Sequence, residues 1–139
     1  MEMKTISCGI LVKLGADSYV LGHATGQEHY DMFKGRMEEG ETYVQTAIRE
    51  CREESGLEFK EDDLEFIGKF FYTKKKDLVV FMTKVDSIDM ESLKCTTYLD
   101  ESRLEMDHYK LVGFDEMIPM LGKSMGILFK KLEPFIRKF

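Results

Sequence analysis

Apolar and β-branched side chains dominate residues 4–13, KTISCGILVK, and residues 18–24, SYVLGHA, repeat that character across Gly15-Ala16-Asp17. A pair of strands joined by a short turn is the expectation. Residues 25–34 begin with Thr25, Gly26 and Gln27 and continue with larger side chains from His29 to Phe33, a loop or short strand leading onward. From residue 43 the period turns helical. Each helical residue advances about 100°, which places Val44, Ile48, Cys51 and Ser55 on a core-facing stripe. Glu50, Glu53 and Glu54, at i, i+3 and i+4, share another sector, and Gln45, Arg49 and Arg52 take the remaining arc. Thr42 and Gln45 have the spacing of a capping box, and Gly56 sits where a glycine stops a helix, so the helix should run over 43–55.

Beyond an acidic turn at Glu61-Asp62-Asp63, strands are expected over 64–73 and 77–85, with Lys74-Lys75-Lys76 between them. Residues 86–94 are polar and read as a loop, 95–99 as a short strand, and 108–114 as another. Asp115 should cap a short helix over 116–121. Ser124 opens a last helix with Met125, Leu128, Phe129 and Leu132 on one face. Pro134 should end or kink it, because an interior proline loses a hydrogen bond and clashes with the preceding turn. Phe135, Ile136 and Phe139 continue the apolar pattern past that point. Strands and helices interleave without regular βαβ spacing, so the expected fold is α/β, a mixed sheet covered by helices on both faces.

Composition narrows the class. At 139 residues, 43% hydrophobic and 33% charged, one globular domain over 1–139 is expected. The formal net charge of −6 argues against broad non-specific nucleic-acid binding, which depends on basic surface, yet leaves room for a basic pocket around a small anion. Cys8, Cys51 and Cys95 are odd in number and widely spaced, so neither a disulfide framework nor a zinc site is expected from them, and a cytoplasmic location fits. The N-terminal stretch lacks the pattern of a signal peptide, and no apolar run approaches the ~20 residues of a membrane span. His23, His29 and His108 show no metal-ligand spacing and take core or surface roles by default.

Three like charges on one helix face repel each other, and no local partner neutralises them all. A multivalent cation gives such a face a purpose; a solvated acidic surface is the bland alternative. The surroundings decide. Gly35 is followed after five residues by Glu41, and after seven more by Arg49-Glu50-Cys51-Arg52-Glu53-Glu54-Ser55-Gly56-Leu57. This resembles the Nudix box, Gx5Ex7REUxEExGU, with each fixed Gly, Glu and Arg matched and Cys51 at a position usually held by Ile, Leu or Val. The resemblance implies a Nudix-like α/β/α sandwich with a central mixed β-sheet. It also implies hydrolysis of a pyrophosphate linkage in a nucleoside diphosphate derivative.

Mg²⁺ prefers hard oxygen ligands, and Mn²⁺ is a possible substitute. Glu50, Glu53 and Glu54 would supply carboxylates, and the resemblance adds the backbone carbonyl of Gly35. Glu50, Glu53 and Glu105 are the candidates for catalytic work. Glu105 stands in a polar loop where similar Nudix proteins place a late glutamate, and it reads either as metal ligand or general base or as a surface residue. Glu41 and Arg49 read as structural support, an ion pair holding loop to helix. Glu38 and Glu39 read as solvated turn residues.

Selectivity lies outside the box. Tyr30, Lys34 and Tyr72 are the candidate substrate-binding residues. Upstream of the box many relatives carry an aromatic and then Pro-Lys-Gly; here Lys34-Gly35 is kept without the proline. Nudix families that act on dinucleoside polyphosphates carry a tyrosine a little beyond the position of Tyr72, and ADP-ribose-type enzymes carry a proline there that this chain lacks. A nucleotide is therefore the expected partner, dinucleoside polyphosphates slightly favoured. The alternatives are an RNA 5′ end (the one way nucleic acid would enter), an ADP-ribose-type compound, a nucleoside triphosphate, or non-catalytic binding by a Nudix-fold module. No membrane partner is expected, and the sequence leaves oligomeric state open.

Overall fold

The computed structural model describes residues 4–139; residues 1–3, the start of the stretch read above for an export signal, lie outside it. The sheet is built on β1 (Thr5–Leu14), which pairs in parallel with β6 (Lys76–Val85), while β5 (Glu65–Thr73) adds antiparallel to β6. On its other edge β1 forks. Val12–Leu14 pair with β2 (Ser18–Ala24), whereas Ser7–Ile10 pair with β4 (Phe33–Arg36). The two-residue β3 (Tyr30–Asp31) pairs with Gly22 and His23 of β2. Residues 30–36 thus enter the opening between β1 and β2, pairing first with one and then with the other. This insertion carries Lys34 and Gly35 into the middle of the sheet. β7 (Met106–Gly113) closes the far edge of β2, with a register shift between Gly22 and Ala24.

Alternation along β1 sorts the core into two layers. Cys8, Ile10 and Val12 face α1 (Tyr43–Ser55), together with Val79 and Phe81 of β6. Leu11 and β6 residues Leu78, Val80 and Met82 face α2 (Phe114–Met120) and α3 (Lys123–Lys138). The mixed sheet with helices on both faces is the fold expected from the sequence. All three cysteines are free and buried. Among the described residues no helix is long and apolar enough to cross a membrane.

Three expectations need correction. Residues 95–99 form no strand; Tyr98 makes an isolated bridge to Leu104. The donors around this segment are spent elsewhere. A helix leaves its last four carbonyls without partners inside the helix, and here each is met. Gly56 N–H donates to Arg52, Thr96 N–H to Glu53, the Tyr109 hydroxyl to Glu54 and Lys94 N–H to Ser55. Cys95 is buried beneath this contact.

Second, α2 starts at Phe114, before Asp115: Gly113 is the N-cap, its N–H held by Glu116 at 3.5 Å. Buried Phe114 packs edge-on to Tyr19, and burial of that ring fixes the start of the helix. Third, α3 runs through Pro134 to Lys138. The proline is on the exposed side, where the carbonyl of exposed Lys130 that loses its donor can be hydrated. The turn beyond it is held by buried Ile136. Lys13, itself buried, donates its ammonium to the carbonyls of Ile136 (3.2 Å) and Arg137 (2.9 Å). Burial and the charge of Lys84 lower the pKa of that lysine.

Candidate active site

The caps of α1 fall where the sequence puts them. Thr42 accepts from Gln45 N–H at 3.2 Å, the Gln45 side chain accepts from Thr42 N–H at 3.0 Å, and Gly56 ends the helix at φ 81°. The rotation of the helix is less simple. Thr46, Ala47, Cys51, Glu54 and Ser55 are its buried residues, whereas Val44 and Ile48 lie only half-buried at the margin. The carboxylate sector therefore turns partly under the helix, against β4. It is no solvated face.

Glu54 is the innermost member, 7% exposed. Its Oε1 accepts the backbone N–H of Lys34 at 2.7 Å, and the Lys34 ammonium pairs with Asp31 at 3.1 Å. Burial, and then the Asp31 carboxylate, push Glu54 well above the usual carboxylate range, against the opposing pull of the Lys34 N–H and charge. Burial works to lower Lys34, but Asp31 and Tyr72 outweigh it and hold the ammonium charged. Asp31 keeps one oxygen, Oδ1, buried without a hydrogen-bond partner.

Glu50 crosses directly over Gly35, where a Cβ would overlap its carboxylate. Only glycine allows this approach. Burial raises the Glu50 pKa against the effect of Arg49, and the charges of Glu53 and Glu105 add to the rise. Glu105 is half-buried with its backbone pinned on both sides, its N–H donating to Thr97 and its carbonyl accepting from Thr25.

Arg49 binds this assembly together. Nε and Nη2 grip Glu41 in a two-pronged pair at 2.7 and 2.9 Å, Nη1 reaches Glu50 at 2.8 Å and Glu53 at 3.2 Å, and Nη2 also donates to the Arg36 carbonyl. Glu41 accepts two further bonds, from Thr46 Oγ1 and from Glu38 N–H. The Arg49 hydrogen bonds hold its pKa down to about 2. With its oxygens so engaged, Glu41 has little left to offer a cation. Glu38 is largely exposed, 3.8 Å from Arg49.

The candidate substrate residues separate. Lys34 Nζ lies 5.6 Å from the centre of the Tyr72 ring, so these two stand together beside Asp31. Phe70 and Tyr72 point into the α3 side of the sheet, while Phe71 points outward beneath Lys4. Tyr72 also walls a cavity of about 450 Å³ flanked by Lys74 and Lys131. A larger cavity of about 750 Å³ between α2 and α3 is lined by none of the candidate residues. Tyr30 packs against the same core layer but stands apart from this pair, its hydroxyl 2.6 Å from His108 Nε2.

Two features escaped the sequence reading. Asp31 belongs to the buried charge cluster, and its place next to the kept Lys34-Gly35 pair was the available signal. His23 and His108, assigned default roles, instead meet at Asp107. Their separation of 85 residues hides this, because the contact depends on how β2 pairs with β7.

The donor set around α1 is entirely oxygen, and with the unpaired Asp31 oxygen it suits a hard divalent cation. The match of a NUDIX domain model covers residues 3–131. No curated protein matches the chain by sequence. Among solved structures, a Caenorhabditis elegans Ap4A hydrolase in a binary complex is 22% identical with a TM-score of 0.72, covering 96% of this chain and 99% of its own. The NUDIX domain of Shewanella oneidensis NrtR complexed with ADP ribose is 9% identical, with a TM-score of 0.73 over 98% of this chain and 90% of its own. A MutT protein from Methanosarcina mazei is 15% identical with a TM-score of 0.71, over 98% and 97%. With the domain model matching residues 3–131 and the fold shared with these structures, the chain belongs to the NUDIX domain family.

Proposed function

We propose that the protein is a Mg²⁺-dependent hydrolase of the pyrophosphate linkage in nucleoside diphosphate derivatives, with dinucleoside polyphosphates as its favoured class. The observation that carries the reading is the gathering of three carboxylates beside β4: Glu50 crosses over Gly35, Glu53 shares Arg49 Nη1 with it, and Glu54 is fixed by the Lys34 amide. Glu50, Glu53, Glu54 and the Gly35 carbonyl would hold the cation, and Mn²⁺ would serve in its place. When bound, it supplies neutralisation of pyrophosphate oxygens and a water of lowered pKa.

The chain's own residues do the rest. Glu53, whose carboxylate is held among the described residues by Arg49 alone, at 3.2 Å, is the carboxylate freest to turn toward a water. Glu105, fixed through its backbone and close enough to act on Glu50, is the second candidate for the proton. Arg49 and Glu41 keep the loop before α1 at a constant distance from the carboxylates. A bidentate pair fixes that geometry better than a single contact.

For the substrate, Tyr72 offers a ring beside a cavity flanked by Lys74 and Lys131, a combination of stacking face and positive charge suited to a nucleotide. Lys34 places one more ammonium over the same ring. The C. elegans relative is an Ap4A hydrolase that aligns over nearly the whole chain, which favours dinucleoside polyphosphates. An ADP-ribose-type substrate is the second reading, supported by the ADP-ribose complex of the NrtR domain at a similar TM-score.

The deciding experiment incubates the protein and Mg²⁺ with a panel of dinucleoside polyphosphates, ADP-ribose, nucleoside triphosphates and 5′-triphosphorylated RNA in ¹⁸O-labelled water. Product masses report the substrate and the phosphorus attacked. Fastest turnover of dinucleoside polyphosphates is expected. Faster turnover of ADP-ribose or RNA reassigns the substrate, and no turnover of any member removes the hydrolase reading.

A further inference from the structure

His23 on β2 and the successive residues Asp107 and His108 on β7 form a cluster outside the carboxylate site. Neighbouring residues of a regular strand point to opposite faces of the sheet. Here Gly22 pairs with Tyr109 and Ala24 with Met106, so one residue of β2 stands opposite two of β7. The bulge re-aims the strand and lets both Asp107 and His108 reach His23. The two imidazoles stack at 4.5 Å with planes 21° apart, and both direct Nδ1 at Asp107 Oδ1, each at 2.7 Å.

We propose that His23 Nδ1, His108 Nδ1 and Asp107 Oδ1 are the ligands of a second metal site, one for a first-row transition cation of the Zn²⁺ type. The three ligand atoms all lie within 4.8 Å of one another. Rotation of the side chains about this shared point would bring them to the ~2.0–2.1 Å bonds of tetrahedral zinc. Two imidazole nitrogens and one carboxylate oxygen suit zinc, nickel or copper better than magnesium, which the all-oxygen set on α1 suits. The two sites share no ligand. Cysteine spacing gave no hint of this site, since its ligands are histidines and a carboxylate.

The surroundings meet the other requirements. Asp107 and His108 are half-exposed, which leaves a path for the ion and room for water to complete its shell. Binding at Nδ1 requires the proton of each neutral ring to sit on Nε2. For His108 the Tyr30 hydroxyl is already 2.6 Å from that atom, and its oxygen can accept the Nε2–H hydrogen bond. Such an outer hydrogen bond orients a metal-bound imidazole.

The test is a Zn²⁺ titration of the full chain against a competing chelator dye, with side-chain ¹⁵N spectra of the histidines recorded before and after one equivalent. The expected result is uptake of Zn²⁺ with Nδ1 shifts at His23 and His108 and none at His29. The variants His23→Gln, His108→Gln and Asp107→Asn should each weaken uptake at least about tenfold. Glu53→Gln and Glu54→Gln should leave it in place. Absence of competitive uptake, uptake unchanged in the histidine variants, or uptake lost in the glutamate variants would each overturn the proposal. Because the readout is binding, the result does not depend on which substrate the enzyme hydrolyses.

Discussion

The backbone N–H of Lys34 donates to Glu54 Oε1 across 2.7 Å, joining a strand inserted in the sheet to the underside of the first helix. Glu54 therefore has one carboxylate oxygen fixed by the fold and one left for chemistry. The carboxylate of Glu53, one position earlier, is held among the described residues by Arg49 alone.

Removing charge from either glutamate without changing its size should separate catalysis from folding. Glu53→Gln and Glu54→Gln are each expected to lower Mg²⁺-dependent phosphate release on the order of a thousandfold. Circular dichroism and thermal unfolding should show the fold intact. Full activity in both variants would remove these residues from the metal site.

Gly35→Ala addresses the close crossing with Glu50. The added methyl overlaps the carboxylate, so Glu50 must move while β4 keeps its pairing with β1. Displacement by about an ångström can cost roughly a hundredfold in rate. Steady-state kinetics should show that loss in kcat, with a smaller change in KM.

Tyr72→Ala should raise KM for a dinucleoside polyphosphate more than for a pyrophosphate compound with one base. Stacking on an aromatic ring is worth about 1–3 kcal/mol per base, a change of roughly 5- to 150-fold. Equal changes for both compounds would take Tyr72 out of base recognition.

Glu41 gives a stability signature. Its pKa falls from an ordinary 4.5 to about 2 in the folded chain, chiefly through hydrogen bonds from Arg49. The unfolded chain thus takes up this proton first. The stabilisation is complete above pH 4.5 and is lost as pH falls toward 2. Urea unfolding should show Glu41→Gln less stable than the parent by about 1–3 kcal/mol near neutrality. The gap should close as the solution is acidified through that window; a constant gap would refute the linkage.

What could be read from the sequence was what local chemistry determines. The capping box at Thr42 and Gln45 and the stop at Gly56 depend on neighbours a few residues away, and the observed helix has the same limits as the expected one. Long-range pairing was out of reach. Residues 95–99 look like a strand in isolation, but the carbonyls at the end of α1 engage the N–H groups on either side of Cys95. Pro134 should stop a free helix, yet the burial of Ile136 and the ammonium of Lys13 hold the turn beyond it. At the site, spacing indicated that the three glutamates share a face. That this face turns toward the sheet follows from the course of residues 30–36 between β1 and β2, which helical periodicity does not encode.

The pairing of β1 along its full length with β6 has a kinetic consequence. Thr5 meets Lys76 and Leu14 meets Val85, so the central strand has no parallel partner until more than half the chain is available. Closing so long a loop has an entropic cost that precedes the reward of contact, and folds dominated by such pairings form slowly. On the ribosome the hairpin of β1 and β2 must wait with an unpaired apolar edge until β6 emerges. Aggregation during synthesis should therefore be governed by that interval and be reduced by slower initiation or chaperone cover, even for variants whose finished fold is fully stable.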